Sequence, residues 1–298
     1  MIAEEYMIDI LLRGTSDDGS IRFFCVTTTQ IVEEARKIHD TYPVVTAALG
    51  RMLTAGSIMG AMLKSDSDKI TIQINGKGLT GSILVVSDTS SNVRGYIGNP
   101  HIDLPLNKDG KLDVGGAVGA NGTLTVIKDL GLKEPYIGQV PIINGEIAED
   151  IASYFASSEQ TPTAVALGVR ISTDCSVESA GGFIVQVMPN SNQDIVAKLE
   201  KNIKNIKSVT DIIAKDGAYG ILDILMTDID YSIHDKRDIY YVCNCNKERL
   251  ERALVSLGFK ELDEIIKEQE EAEIICHFCN KKYTFSKEEL ISLLKEAK

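Results

Sequence analysis

The chain has 298 residues, 44% of them hydrophobic and 25% charged, which suits a soluble protein with one domain of about 150–200 residues and a smaller companion. A formal charge of −12 repels a nucleic-acid backbone unless a basic face is set apart. Residues 236–298 hold 12 basic and 13 acidic side chains and the preceding 235 carry −11, so neither part has that footprint.

Met1–Glu5 brings two acids and no basic n-region, and Asp9 interrupts the apolar stretch that follows, so no secretory signal is expected and the cytosol is the predicted location. Tyr6–Leu12 and Ile21–Val26 read as strands joined by a turn at Ser16-Asp17-Asp18-Gly19. Thr29 is placed to cap a helix that carries Ile31, Ala35 and Ile38 on one face. Val44–Leu63 is the most membrane-like stretch, but Arg51, Thr46, Thr54, Ser57 and three glycines make it a buried core helix instead. Ile70, Ile72 and Ile74 alternate with polar residues, and Ser82–Ser87 and Val93–Ile97 continue an antiparallel meander after the Asn75–Gly78 turn. This order is α+β rather than a βαβ repeat.

The glycine-rich Gly115–Gly122 invites a phosphate-loop reading. That chemistry needs a helix N-terminus directly after the loop, whereas Thr123–Ile127 reads as a strand, so hairpin-turn glycines are expected. Gly145–Ser158 is an amphipathic helix, and Ala164–Ile171 and Gly182–Val187 are strands expected to close the main sheet. The break at Pro189–Asn192 sets the first boundary: 1–189 is an α+β core domain, 190–237 a helical linker and 238–298 a small C-terminal module. The linker helices have thin apolar stripes (Ile195, Leu199, Ile203; Ile212, Ile213; Ile221, Leu222, Leu225) and must borrow stability from a neighbour. In the module, strand-like Ile239–Val242 leads into the first cysteines, helices follow at Lys247–Leu257 and about 261–271, and Tyr283–Phe285 is a strand. Ser286 and Glu289 form a capping box for the last helix, Lys287–Lys295.

Four of six cysteines form two hooks, Cys243-Asn244-Cys245 and Cys276-His277-Phe278-Cys279. Paired chelating hooks are the pattern of a tetrahedral thiolate site for one Zn2+, and four thiolates leave no open position for hydrolytic chemistry. His277 is expected at the surface or behind the ligands rather than on the metal, because four thiols suffice. Cys25 and Cys175 stand alone as buried or incidental thiols, and His39, His101 and His234 match no nucleophile motif. A strand rather than a helix after Cys276-x-x-Cys279 speaks against a thioredoxin-like site, and the acidic run from Glu268 to Glu273 against a nucleic-acid zinc ribbon. On spacing alone a static zinc knuckle is the simpler reading. The small module nevertheless depends on its metal: such a core seldom supplies more than ~3–5 kcal/mol, whereas structural zinc contributes ~10–16 kcal/mol.

With these hooks behind a helical linker and an α+β core, the chain resembles the redox-regulated heat-shock holdase, the 33 kDa chaperonin family. The likeness includes Tyr96–Pro100, Lys128–Gly131, Glu134–Tyr136, Gly138–Val140, Glu146–Pro162 and Gly168-Val169, and no ligand position departs from it. The resemblance implies a chaperone without catalytic residues that is inactive when reduced and zinc-bound through Cys243, Cys245, Cys276 and Cys279. It further implies that oxidation forms Cys243–Cys245 and Cys276–Cys279, expels zinc and unfolds the linker. The active form, typically a homodimer, then holds unfolding clients without ATP. A one-residue disulfide ring at the first hook would be strained and easily reduced. The competing expectation is a constitutive zinc-ribbon interaction or nucleic-acid-binding protein.

Overall fold

The computed structural model describes residues 8–269 and 271–296, so Tyr6 and Met7 of the first expected strand, and Glu270 of the acidic run, lie outside it. Strands β1 (Ile10–Ser16) and β2 (Ile21–Thr27) form the expected hairpin. The turn is locked by Asp18, which accepts from Ser16 and Ser20 hydroxyls at 2.6 Å. Helix α1 (Thr29–His39) follows, but its cap differs from the expectation. Thr28 occupies the cap position but its hydroxyl bonds Thr54 at 2.7 Å instead of capping the helix, Thr29 Oγ1 accepts from Ala180 N at 3.0 Å, and the carboxylate of Asp9 accepts from Ile31 N at 2.9 Å. A residue 22 positions upstream thus satisfies an orphan helix donor.

Asp9 is 2% exposed, and burial holds its carboxyl up at about 6 against the backbone N–H groups that pull it down. A folded-state value above the unfolded 3.8 means that the native state binds the proton more tightly, so this group's contribution to stability falls as pH rises from about 4 to about 6. Asp9→Asn keeps an acceptor and removes the titration. Unfolding free energies of variant and parent from urea titrations across that window are expected to diverge in the variant's favour toward neutral pH by up to about 3 kcal/mol. A constant difference across the window would refute the assignment.

Helix α2 (Pro43–Gly60) is buried at every residue except Pro43 and Arg51, because it lies against both large sheets of the first unit. Its one charge is neutralised: Arg51 Nη1 donates to Glu146 Oε2 at 2.6 Å and to Glu146 O at 3.1 Å. No helix among the described residues is long and apolar enough to cross a membrane. The meander β3 (Lys69–Asn75), β4 (Ile83–Asp88) and β5 (Val93–Ile97) is as expected. It is completed by β6 (Thr123–Asp129) and by β7 (Tyr136–Pro141), which the sequence did not announce, giving the antiparallel order β5-β4-β3-β6-β7.

The glycine-rich segment holds a five-residue helix, α3 (Val114–Val118), before β6 rather than a simple hairpin turn. Its first donors are taken by the protein's own carboxylates: Gly116 N donates to Asp113 at 3.0 Å and Gly115 N to Glu146 at 3.1 Å. Helix α4 (Ala148–Ser158) begins where Asp150 accepts from Ile143 N at 2.7 Å and from Ile147 N at 2.9 Å.

Strands β8 (Thr163–Ile171) and β9 (Val177–Val187) do not close the meander; they join a second antiparallel sheet. Its order is β10-β1-β2-β9-β8, with β10 (Tyr231–Asp238) drawn from the segment after the linker helices. Both faces of this sheet are covered, which explains why Ile21–Val26 is a nearly continuous apolar run. Leu11, Phe24, Val26 and Ile184 face the core built on α2. Leu12, Ile21, Phe23, Cys25, Phe183 and Val185 face α5 (Gln193–Asn205) and α6 (Val209–Leu225), meeting Leu199, Ile213, Ile221, Leu222 and Leu225. Helix α6 is broken at Gly217, whose φ of +64° other residues adopt only with strain.

Ile239–Val242 makes a strap in place of the expected strand. Ile239 N donates to Asp9 O at 2.9 Å, and Tyr240 O and Val242 N bond both sides of Val93 at 3.0 Å. Contacts then divide the chain at Val242/Cys243, with α5, α6 and β10 in the first unit.

Candidate metal centre

The second unit, Cys243–Lys298, is built on a hairpin of β11 (Glu271–Ile275) and β12 (Lys282–Ser286). Helices α7 (Lys247–Leu257), α8 (Phe259–Glu268) and α9 (Lys287–Glu296) pack around it. The expected helix at 261–271 ends at Glu268, and the alternation of Glu271, Ala272 and Glu273 is that of a strand with Ala272 inward. Among the described residues the buried apolar core is seven side chains, with Phe285 and Leu254 among the largest. The capping box is present: Ser286 N donates to Glu289 at 3.0 Å, and Glu289 N to Ser286 Oγ at 3.4 Å.

Cys243 and Cys245 lie on the extended entry to the unit, and Asn246 directly after them caps α7 by accepting from Arg249 N at 2.8 Å. Cys276 and Cys279 sit on the connection between β11 and β12. That turn is tightened by Asn280 N donating to Cys276 O at 2.8 Å and Cys276 N to Lys281 O at 3.0 Å, with Asn280 at φ +54°. The fold thus brings together all four cysteines that the sequence singled out, their sulfurs lying within 4.8 Å of one another.

Two sulfur contacts run across the hooks: Cys243 to Cys276 at 3.7 Å and Cys245 to Cys279 at 3.3 Å. With zinc–sulfur bonds of about 2.3 Å, a tetrahedron has edges of about 3.8 Å, whereas a disulfide brings sulfurs to about 2.05 Å. All four are free thiols, Cys276 is buried and the other three are partly buried. The donor set, its spacing and its seclusion fit one tetrahedral metal ion. Replacing the buried Cys276 with serine is expected to cost the one equivalent of tight metal binding and to loosen residues 243–298. Unchanged metal content by mass spectrometry would overturn the ligand assignment.

Tyr283 is a site residue that the cysteine pattern gave no hint of. Its hydroxyl donates to Cys245 O at 3.0 Å and lies 3.2 Å from Cys245 Sγ. Burial opposes ionisation of Cys245, yet the hydrogen bonds from Tyr283 and the neighbouring thiols outweigh it and bring the thiol to about 7. Burial pushes Cys243 and Cys279 upward. Only register across the hairpin, Ile274 opposite Tyr283, places this phenol beside the hooks.

His277 is exposed and outside the thiol cluster. Cys25 is fully buried in β2, and burial drives its thiol upward, while Cys175 is exposed in the β8–β9 turn. The other histidines are dispersed: His39 contacts Gly95 O at 3.0 Å, His101 Asp40 at 3.2 Å and His234 Thr15 at 2.8 Å.

The model of the Hsp33 protein family matches residues 9–286, a span that runs through both units and all four clustered cysteines. The chain belongs to the Hsp33 family. Its Hsp33 relatives include the 33 kDa chaperonins of Clostridium perfringens and Clostridioides difficile strain 630. Each is 50% identical over 292 residues, which is 97% of this chain and 92% and 100% of theirs. Among solved structures, the Thermotoga maritima 33 kDa chaperonin, a heat shock protein 33 homologue, superposes with a TM-score of 0.88 at 40% identity. That match covers 97% of this chain and 98% of the other. The α+β architecture read from sequence and the chaperone class of the Hsp33 family therefore hold for this chain.

Proposed function

We propose that this chaperone is an ATP-independent holdase gated by the redox state of its four clustered cysteines. In the reduced form Cys243, Cys245, Cys276 and Cys279 hold one Zn2+, and clients are not bound. The bound ion supplies a tie between the entry segment and the β11–β12 turn that a core of seven apolar side chains cannot replace. Oxidation by peroxide closes each hook on itself. In each hook two thiolates lose two electrons and join as one disulfide, while peroxide takes up those electrons with two protons from solvent and leaves as two waters.

Pairing within hooks matters physically. Cys243–Cys245 and Cys276–Cys279 would leave the two hooks untied, whereas a Cys245–Cys279 bond would staple them together, with the opposite consequence. With the tie lost the second unit unfolds, and 190–237 acts as a linker that comes away from the core. Its departure uncovers the sheet face of Leu12, Ile21, Phe23, Cys25, Phe183 and Val185. Those side chains, together with the released linker, hold unfolding proteins. The active form is a homodimer, and the setting is the cytoplasm, where thiols are kept reduced until oxidative stress.

The observation that carries this reading is the convergence of four free thiols within 4.8 Å in a unit with so little core. Nothing in the site favours the zinc-ribbon or nucleic-acid alternative. The test is to follow metal release, disulfide connectivity and suppression of client aggregation together after peroxide treatment. Aggregation suppressed equally by the reduced protein would sink the redox gate.

A further inference from the structure

β8 is the outer strand of its sheet, and its second half borders a cleft of about 820 Å³. Val187 N donates to Pro162 O at 3.0 Å, which fixes the pairing phase: even-numbered residues of β8 exchange hydrogen bonds with β9. Leu167 and Val169 therefore direct their N–H and C=O groups away from the sheet, into the cleft they line. No hydrogen bond within the described residues takes these four groups.

The sheet's two covering layers extend past this edge and wall the cleft. On one side stand Ala47 of α2 and Leu112 of the loop before α3, and on the other Val209 and Thr210 at the start of α6. Gly168 allows the second wall to come so close, since a Cβ there would meet Thr210 Cγ2 at 2.7 Å. The cleft has the cross-section of a missing sixth strand: a backbone edge in the middle and an apolar wall above and below.

Its charge selects an occupant. Arg51 is paired with Glu146, and Arg170 with Asp211 and Glu178. Lys111 and Lys207, both exposed and both lining the cleft, have no carboxylate partner among the described residues. In a chain of net charge −12 this is a local surplus of positive charge.

We propose that the free edge of β8 is a docking site for an extended segment of a partner protein, about five residues long and mixing apolar residues with Asp or Glu. The segment joins the sheet through Leu167 and Val169 and sets its carboxylates toward Lys111 and Lys207. Because one wall is the start of α6, the site is whole only while α6 is docked, and its occupant favours the docked form.

The probe is the fluorescein-labelled, end-blocked pentapeptide Val-Glu-Val-Glu-Val, with Val-Lys-Val-Lys-Val as its charge-reversed partner, added to the reduced, zinc-loaded full chain. Fluorescence anisotropy is expected to show binding of the acidic peptide, and amide hydrogen exchange a slowing at Leu167 and Val169. The surface double variant Lys111→Glu/Lys207→Glu should weaken the acidic peptide about tenfold or more and strengthen the basic one. Absence of binding, protection elsewhere, or indifference to the charge reversal overturns the proposal. So does sedimentation showing that a second copy of the chain already closes this edge. Suppression of aggregation by the oxidised protein is a separate measurement, so either idea can fail while the other stands.

Discussion

Peroxide at elevated temperature is expected to release zinc from the loaded protein, unfold residues 243–298 and turn on suppression of client aggregation. The effect expected from the proposed gate is large because a structural zinc site contributes about 10–16 kcal/mol, against ~3–5 kcal/mol from a core of this size. Zinc release read with a chromogenic chelator, loss of helical signal from α7 to α9 and aggregation of a thermally unfolding client should move together. Peptide mapping should find Cys243–Cys245 and Cys276–Cys279. The structure makes this demanding, since sulfurs on opposite hooks also lie close together, Cys245 and Cys279 at 3.3 Å. A dominant Cys245–Cys279 bond would keep the turn and the entry segment tied and would refute the proposed gate.

Loosening the α6 cover should activate the protein without any oxidant. Leu222 is fully buried against the sheet, and Leu222→Ala is expected to weaken docking by about 2–5 kcal/mol. A gentler variant, Gly217→Ala, strains the break in α6 at a φ of +64° and should cost about 1–3 kcal/mol. In both, the reduced, zinc-loaded protein is expected to suppress aggregation, Gly217→Ala the less strongly. Cys25 provides an internal reporter. It lies fully buried beneath this cover, so its alkylation by a maleimide should accelerate in step with activity. Fast alkylation with no gain in activity would show that the sheet face is not where clients bind. Retained metal and strand signal would separate either outcome from global unfolding.

The two sheet faces explain much of what was and was not legible. Ile21–Val26 and the Val44–Leu63 region announce themselves because burial on every side demands apolar residues at nearly every position. β7 and β10 did not. Both are edge strands, and β10, Tyr231–Asp238, carries a His, a Lys, an Arg and two Asp because much of it faces water. Such a strand is specified by its partner β1, with Ile10 opposite Asp238 and Ser16 opposite Tyr231, and not by its own pattern. The same holds for caps. Ser286 and Glu289 are local and readable, whereas the Asp9 cap on α1 spans 22 positions and is not.

The sequence by itself determined the chemistry: four thiols in two hooks, an apolar α+β core, thinly striped helices between them, and no pattern of a nucleophilic or phosphate-binding enzyme. These are properties of residue type and local spacing, which a chain carries with it before it folds. Only the tertiary structure decided that Tyr283 stands 3.2 Å from Cys245 and that α5 and α6 cover one face of the second sheet. It also decided that, among the described residues, β8 has a free edge beside two lysines without a carboxylate partner. Each of these depends on which strand lies beside which and in what register. That choice is made by packing and hydrogen bonding between segments far apart in the chain, where no local periodicity records it.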